Sequence, residues 1–305
     1  MLMISTQAFS ASLPLLKALT VEGEVLSVQV IPSERMDSSE VYLGSEKGKV
    51  LPGGDVSVKP RARILWLASE YGVLPQEKQL ASVLAKSGIE SWFMDPYELL
   101  FLSPTSSAVD QVPEAWTVAL LQAAQTDGIP LWIVAPNKAA QTAIRGLSNY
   151  LSTPKQNLGV ILINPNLYLN TPVPGEAAHY WPSVLNTNVP LSILQSELSP
   201  WRWRVITLAE QLAVSGSDVF IHLLPKVRDR FYFREDAMPI EAHLAESLSQ
   251  TVIQAMKLQL PYLSSARKVS PVVNQVKTEV KETRSTALQT YQGEQGLSLS
   301  LLDLQ

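Results

Sequence analysis

Cysteine is absent from the 305 residues, which excludes a disulfide, a thiolate zinc site and a thiol redox centre within them. Histidine is scarce: His179, His222 and His243 stand far apart along the chain and make no metal-binding cluster. No apolar run approaches the ~20 residues of a membrane span. A dense basic block is missing from the body of the chain, and a net charge of −4 carries no field that would gather nucleic acid. The dinucleotide fingerprint G-x-G-x-x-G is missing too, which counts against a nucleotide-binding reading of an α/β chain. Residues 44–50 mimic a phosphate loop, but the spacing between the glycines is short and Val50 stands where the magnesium-binding Ser or Thr belongs. The expectation is a chain that is not transmembrane, holds no metal or cofactor, avoids nucleic acid and takes a small molecule or a protein partner of unknown identity.

What is present is an alternation of apolar runs and helical patterns. Residues 14–59 read as β-rich, with 19–31 alternating apolar and polar, and hold the first strands and their hairpin. Residues 63–68 form a buried-type strand, followed by a helix with Leu80, Val83 and Leu84 on its inner face and a stop at Gly88. A strand resumes over 89–95, and residues 96–110, punctuated by Pro and Ser, read as a loop lying over the sheet. Helix (115–124), strand, helix (to about 151) and strand (158–164) follow. After a Pro- and Asn-rich stretch at 165–188 come a strand at 189–195, a helix bearing Val205, Leu208, Leu212 and Ala213, a strand at 218–224 and one final helix over 239–260. This succession predicts a doubly wound, mainly parallel α/β sheet covered on both faces. Residues 1–14 form an N-terminal segment whose small-residue end looks like the tail of a clipped secretory signal, so the chain reads as soluble and cytoplasmic as given, or periplasmic if that signal is real. The body spans 15–262, and 263–305 reads as a linker and flexible tail, Ser-, Thr-, Lys- and Glu-rich up to 292.

At the centre, the apolar run 131–135 turns abruptly into a helical pattern through Ala135-Pro136-Asn137-Lys138-Ala139. This strand, turn and helix resembles the nucleophile elbow of the α/β-hydrolase family, small-x-nucleophile-x-small. The resemblance covers most of the chain and rests on the order of its elements. It puts Asn137 in the nucleophile's place. Asn tolerates the positive φ of that turn, but a base cannot activate its amide as it does a hydroxyl. The resemblance also implies an acid near Ser199, with Glu197 two residues earlier, and a histidine near Asp229, where Arg230-Phe231 follows in place of His-Gly-Phe. All three triad roles are thereby expected to be lost. The oxyanion-loop position falls on residues 69–73, where Tyr71-Gly72 replaces the usual His-Gly pair. Residues 296–305 are similar to the opening strand of thioredoxin-like redoxin domains, which implies a piece that precedes such a domain.

The expected function is that of a pseudoenzyme, a hydrolase-like body kept for binding or scaffolding. Two other readings stay open: an active esterase or peptidase using Ser69 or Ser199 with His222 as base, and a carbohydrate- or peptide-binding module. His222 reads equally as a core histidine, the 228–236 charges as a solvated loop, and Trp201-Arg202-Trp203-Arg204 as helix packing with snorkelling arginines. A retained cleft above Asn137 is expected to bring Tyr71, Gly72, Asn137, Lys138, Ser199 and Asp229 together, with Glu197 and His222 near and Lys138 paired to Asp229.

Overall fold

The structure is a computed structural model describing residues 15–34, 59–173 and 175–269, together with the backbone of 288–292 and 298–302. Its centre is an eight-stranded sheet. Strands β1 (Leu15–Val21) and β2 (Glu24–Ile31) form a hairpin, with β2 antiparallel to β4 (Ile89–Met94). The others, β3 (Ala62–Leu67), β5 (Leu131–Pro136), β6 (Leu158–Ile163), β7 (Leu191–Ser196) and β8 (Val219–Leu224), run parallel, in the order β1-β2-β4-β3-β5-β6-β7-β8. Every residue of β3, β5, β6 and β7 is buried, which explains why β5 and β6 read as continuous apolar runs, without alternation.

Helices cover both faces, as the doubly wound reading requires. Helices α4 (Glu114–Ala124), α5 (Ala139–Tyr150) and α6 (Val205–Ala213) pack on one face through Trp116, Leu120, Ile144, Leu147, Leu208 and Leu212. On the other lie α1 (Pro75–Ala85) and α8 (Leu248–Gln259), through Leu80, Leu84, Val252 and Met256.

Several local details differ from the sequence reading. The expected first hairpin turns inside the alternating run 19–31, at Glu22-Gly23, both at positive φ (50° and 89°). Val83 is half exposed, and Ala81 takes its place on the inner face of α1. Residues 96–110 hold two short helices, α2 (Pro96–Leu100), capped by the Asp95 carboxylate, and α3 (Ser106–Val109), capped by Thr105. The last helix is two: α7 (Pro239–Glu246) ends at Ser247, where α8 begins. Past Leu263 the chain stays packed to Val269, whose N–H donates to the Leu151 carbonyl at 3.0 Å, while Arg267 pairs with Asp218. In the tail, strands β9 (Leu288–Gln292) and β10 (Ser298–Leu302) pair antiparallel. The 44–50 turn and the 1–14 segment lie outside the described residues. Among the described residues no helix is long and apolar enough to cross a membrane.

A buried polar cluster fixes α8 to the middle of the sheet. The Gln259 amide donates to the Val160 carbonyl (2.8 Å) and Ser192 Oγ (2.7 Å), and its oxygen accepts from Trp132 Nε1 (3.0 Å). Gly159 leaves room for this exchange. A methyl there would stand 2.5 Å from Trp132 Nε1 and closer still to Gln259 Oε1. Gly159→Ala is therefore expected to cost about 1–3 kcal/mol by overpacking, read as a lower urea midpoint with an unchanged slope; an unaltered midpoint would show that the cluster does not constrain α8.

Candidate functional site

The elbow forms as the resemblance implies. Between β5 and α5, Asn137 takes φ = 50°, flanked by Ala135 and Ala139, both fully buried. The small neighbours let the turn pack tightly against the sheet. Asn137 is stitched to the end of β6: its N–H donates to the Ile163 carbonyl (2.8 Å), and its carbonyl accepts from Asn166 N–H (3.0 Å). Beside it, Asn164 (φ = 47°) turns its side-chain oxygen onto Ser196 N–H at 2.7 Å and ties the ends of β6 and β7 together.

The decisive contact comes from the loop after β3. Glu70 Oε2 accepts a hydrogen bond from the Lys138 backbone N–H at 2.9 Å. In an elbow of this geometry, the amide after the nucleophile is one of the two donors that hold a developing oxyanion. Here a carboxylate of the chain itself holds that donor, at the start of α5, where the helix dipole also favours a negative charge. Burial pushes the Glu70 carboxyl above its ordinary value, partly countered by its own and the Lys138 backbone N–H and by the charges of Lys138 and Arg230. The loop is braced from beneath: Ser69 Oγ accepts from Tyr71 N–H (3.2 Å), and the Ser69 carbonyl accepts from Tyr97 Oη (2.7 Å). Gly72, at φ = 80°, backs onto Pro104.

The other expected residues separate into two groups. Ser199 and Asp229 do meet, the Ser199 hydroxyl holding down a carboxyl that burial pushes up, with help from the Arg230 and Arg234 charges. One oxygen of Asp229 is buried without a hydrogen-bond partner. Ser199 also accepts from Trp201 N–H (3.1 Å) as the cap of a 3-10 turn, and Glu197 accepts from Lys226 N–H (2.9 Å), where Lys226 has φ = 57°. The expected Lys138–Asp229 ion pair does not form. Lys138 Nζ reaches Asp110 Oδ1 at 3.1 Å and the Ser106 carbonyl at 2.7 Å, because α3 ends directly beside it. Tyr71 sits under Arg230 (5.6 Å) and against Phe233.

His222 lies in β8 in register with Leu194, and burial lowers its imidazole pKa to about 4, so it is neutral at physiological pH. No hydrogen bond joins it to Ser69 or Ser199 among the described residues, whose hydroxyls serve backbone amides instead. Among the described residues no group of His, Asp and Glu is arranged to hold a metal ion.

A concavity of about 170 Å³ does open beside the elbow, bordered by Lys138, Gln141, Asn166, Tyr168, Trp181 and Trp201 among others. Of the pocket residues expected from the sequence, only Lys138 lines it. Gln141 and Tyr168 were not singled out from the sequence as pocket residues. The signal for Gln141 is a polar residue on the buried side of an amphipathic helix.

No protein-family model matches this sequence, and no curated protein matches it either. Solved structures do. An esterase from Pseudomonas putida ECU1011 superposes with a TM-score of 0.54 at 12% identity, covering 85% of this chain and 86% of that one. Carboxyl esterase 2 from the fungus Tuber melanosporum gives 0.52 at 12% identity over 82% and 89% of the two chains. A Klebsiella pneumoniae protein described as a dienelactone hydrolase gives 0.53 at 15% identity over 80% and 98%. The chain has the α/β-hydrolase fold, shared at identities that speak for the fold alone.

Near the loop after β3, Glu77 on α1 is buried, accepting from Leu74 N–H (3.1 Å) and Tyr232 Oη (3.1 Å). Burial raises its pKa to about 7, against an ordinary value of 4.5. Between those two values the folded protein keeps a proton that the unfolded chain has released, so the contribution of Glu77 to stability is fully present below pH 4.5 and is lost as pH rises through about 7. Glu77→Gln should flatten this part of the stability profile in denaturant melts recorded across that range. A variant whose profile still falls as steeply as that of the parent would contradict the assignment.

Proposed function

We propose that the chain is a catalytically silent α/β-hydrolase-fold protein that works as a binding or scaffolding module. The observation that carries this reading is the 2.9 Å hydrogen bond from the Lys138 amide to Glu70. It supplements the loss of the nucleophile at Asn137 with a blocked oxyanion donor. Acyl transfer at such a site needs a hydroxyl or thiol, a base beside it and donors free for the oxyanion. Asn137 supplies no such nucleophile, and a carboxylate on the Lys138 amide repels the negative charge that would develop there. Ser199 and Asp229, in the places of the acid and the base, form a structural contact without an imidazole.

The rival reading is an active esterase or peptidase that uses Ser69 or Ser199 with His222 as base. It is favoured by the fold shared with esterases. Turnover of short p-nitrophenyl esters and labelling by a fluorophosphonate probe separate the two. The expected result is hydrolysis at the level of bulk protein and no labelled serine. Robust turnover that disappears in Ser69→Ala or Ser199→Ala would replace the proposal with the rival.

A further inference from the structure

The cleft beside the elbow carries unpaired hydrogen-bonding capacity. Gln141 is 1% exposed, yet neither its amide nitrogen nor its amide oxygen has a hydrogen-bond partner. The indole Nε1 of Trp181, on the facing loop, is likewise buried and unpaired. Leaving such groups unsatisfied is costly, and most buried polar side chains in folded proteins are paired. Both residues border the same 170 Å³ cleft. A donor and acceptor side by side on one amide, with an indole donor in the same cleft, suit a ligand carrying hydroxyls on neighbouring carbons.

The cleft's walls select further. Tyr168 packs at a tilt against Trp201 (ring centroids 5.0 Å apart) and Tyr180 (5.2 Å), and Tyr168 and Trp201 give the cleft an aromatic side. Such a wall packs against the C–H face of a sugar ring while the polar groups address its hydroxyls. Charge is balanced, since Lys138 is held by Asp110 within the lining. An anionic ligand would compete with Asp110 for Lys138, and a cationic one with Lys138 for Asp110. The volume suits one ring, not an extended chain.

We propose that this cleft binds a neutral polyhydroxylated ligand of monosaccharide size, a free pyranose or the terminal unit of a glycan, with Gln141 and Trp181 as its hydrogen-bonding groups and Trp201 and Tyr168 as its stacking surface. The proposal rests on the non-catalytic binding reading above and names its ligand class. Ester turnover would sink that reading and leave the sugar site standing, whereas absent sugar binding removes this site alone.

The test uses the full chain and a panel of glucose, galactose, mannose and N-acetylglucosamine, with inorganic phosphate and glycylglycine as non-sugar probes. The indole N–H resonances of the isotope-labelled protein are followed during titration, so the parent protein reports directly. At least one sugar is expected to shift the Trp181 indole signal saturably, and Gln141→Ala and Trp201→Ala are each expected to weaken that binding by about ten-fold while retaining the far-UV spectrum. If one variant fails to fold, the other and the parent's Trp181 signal still decide. The proposal is overturned if no sugar moves that signal into the tens of millimolar, if only phosphate or glycylglycine does, or if folded Gln141→Ala binds as tightly as the parent.

Discussion

One hydrogen bond organises the candidate site: the Glu70 carboxylate on the Lys138 amide. It joins the loop after β3 to the first turn of α5, the two elements that an α/β-hydrolase uses to build its oxyanion site. Because α5 begins at the elbow, the same bond caps the helix with a negative charge at its positive end. The strained turn at Asn137 is consequently held from three sides: by β6 through its N–H, by Asn166 through its carbonyl and by Glu70 through the next amide. The turn thus serves as a structural junction between β5, α5 and the loop after β3.

Electrostatics around the junction point the same way. The cationic groups nearby are engaged: Lys138 with Asp110, Arg230 over the Tyr71 ring, Arg234 with Asp236. The only imidazole in the sheet, His222, is held neutral by burial. Hydroxyls that a base would have to activate, Ser69 and Ser199, are acceptors for backbone amides. Among the unpaired buried polar groups, those of Gln141 and Trp181 border the cleft to one side of the elbow, so the proposed ligand cleft and the turn at Asn137 are spatially offset.

The fold was legible in the sequence because its signals are local. Fully buried parallel strands produce continuous apolar runs, and the helices between them show their own periodicity. The elbow was legible for the same reason, since small residues, a tolerated positive φ and a change of period all fall within a few positions. Glu70 was not, because its role depends on an amide 68 residues away and nothing in its neighbourhood marks it. The partner of Lys138 was missed for a related reason: residues 96–110 read as loop, while the Asp95 and Thr105 caps fold them into two short helices that bring Asp110 to the lysine. Breaks within periodic stretches, at Glu22-Gly23 and at Ser247, were hidden because the apolar pattern continues across them.

The account stands on Glu70 occupying the amide after Asn137, and the Lys138 amide proton is the most direct witness. Followed by NMR against pH, that proton is expected to lie downfield and to titrate with the carboxyl at an apparent pKa above the ordinary glutamate value, as burial of Glu70 requires. In Glu70→Ala the titration should vanish. A Lys138 amide that ignores pH in the parent protein, or that titrates unchanged in Glu70→Ala, would contradict the account.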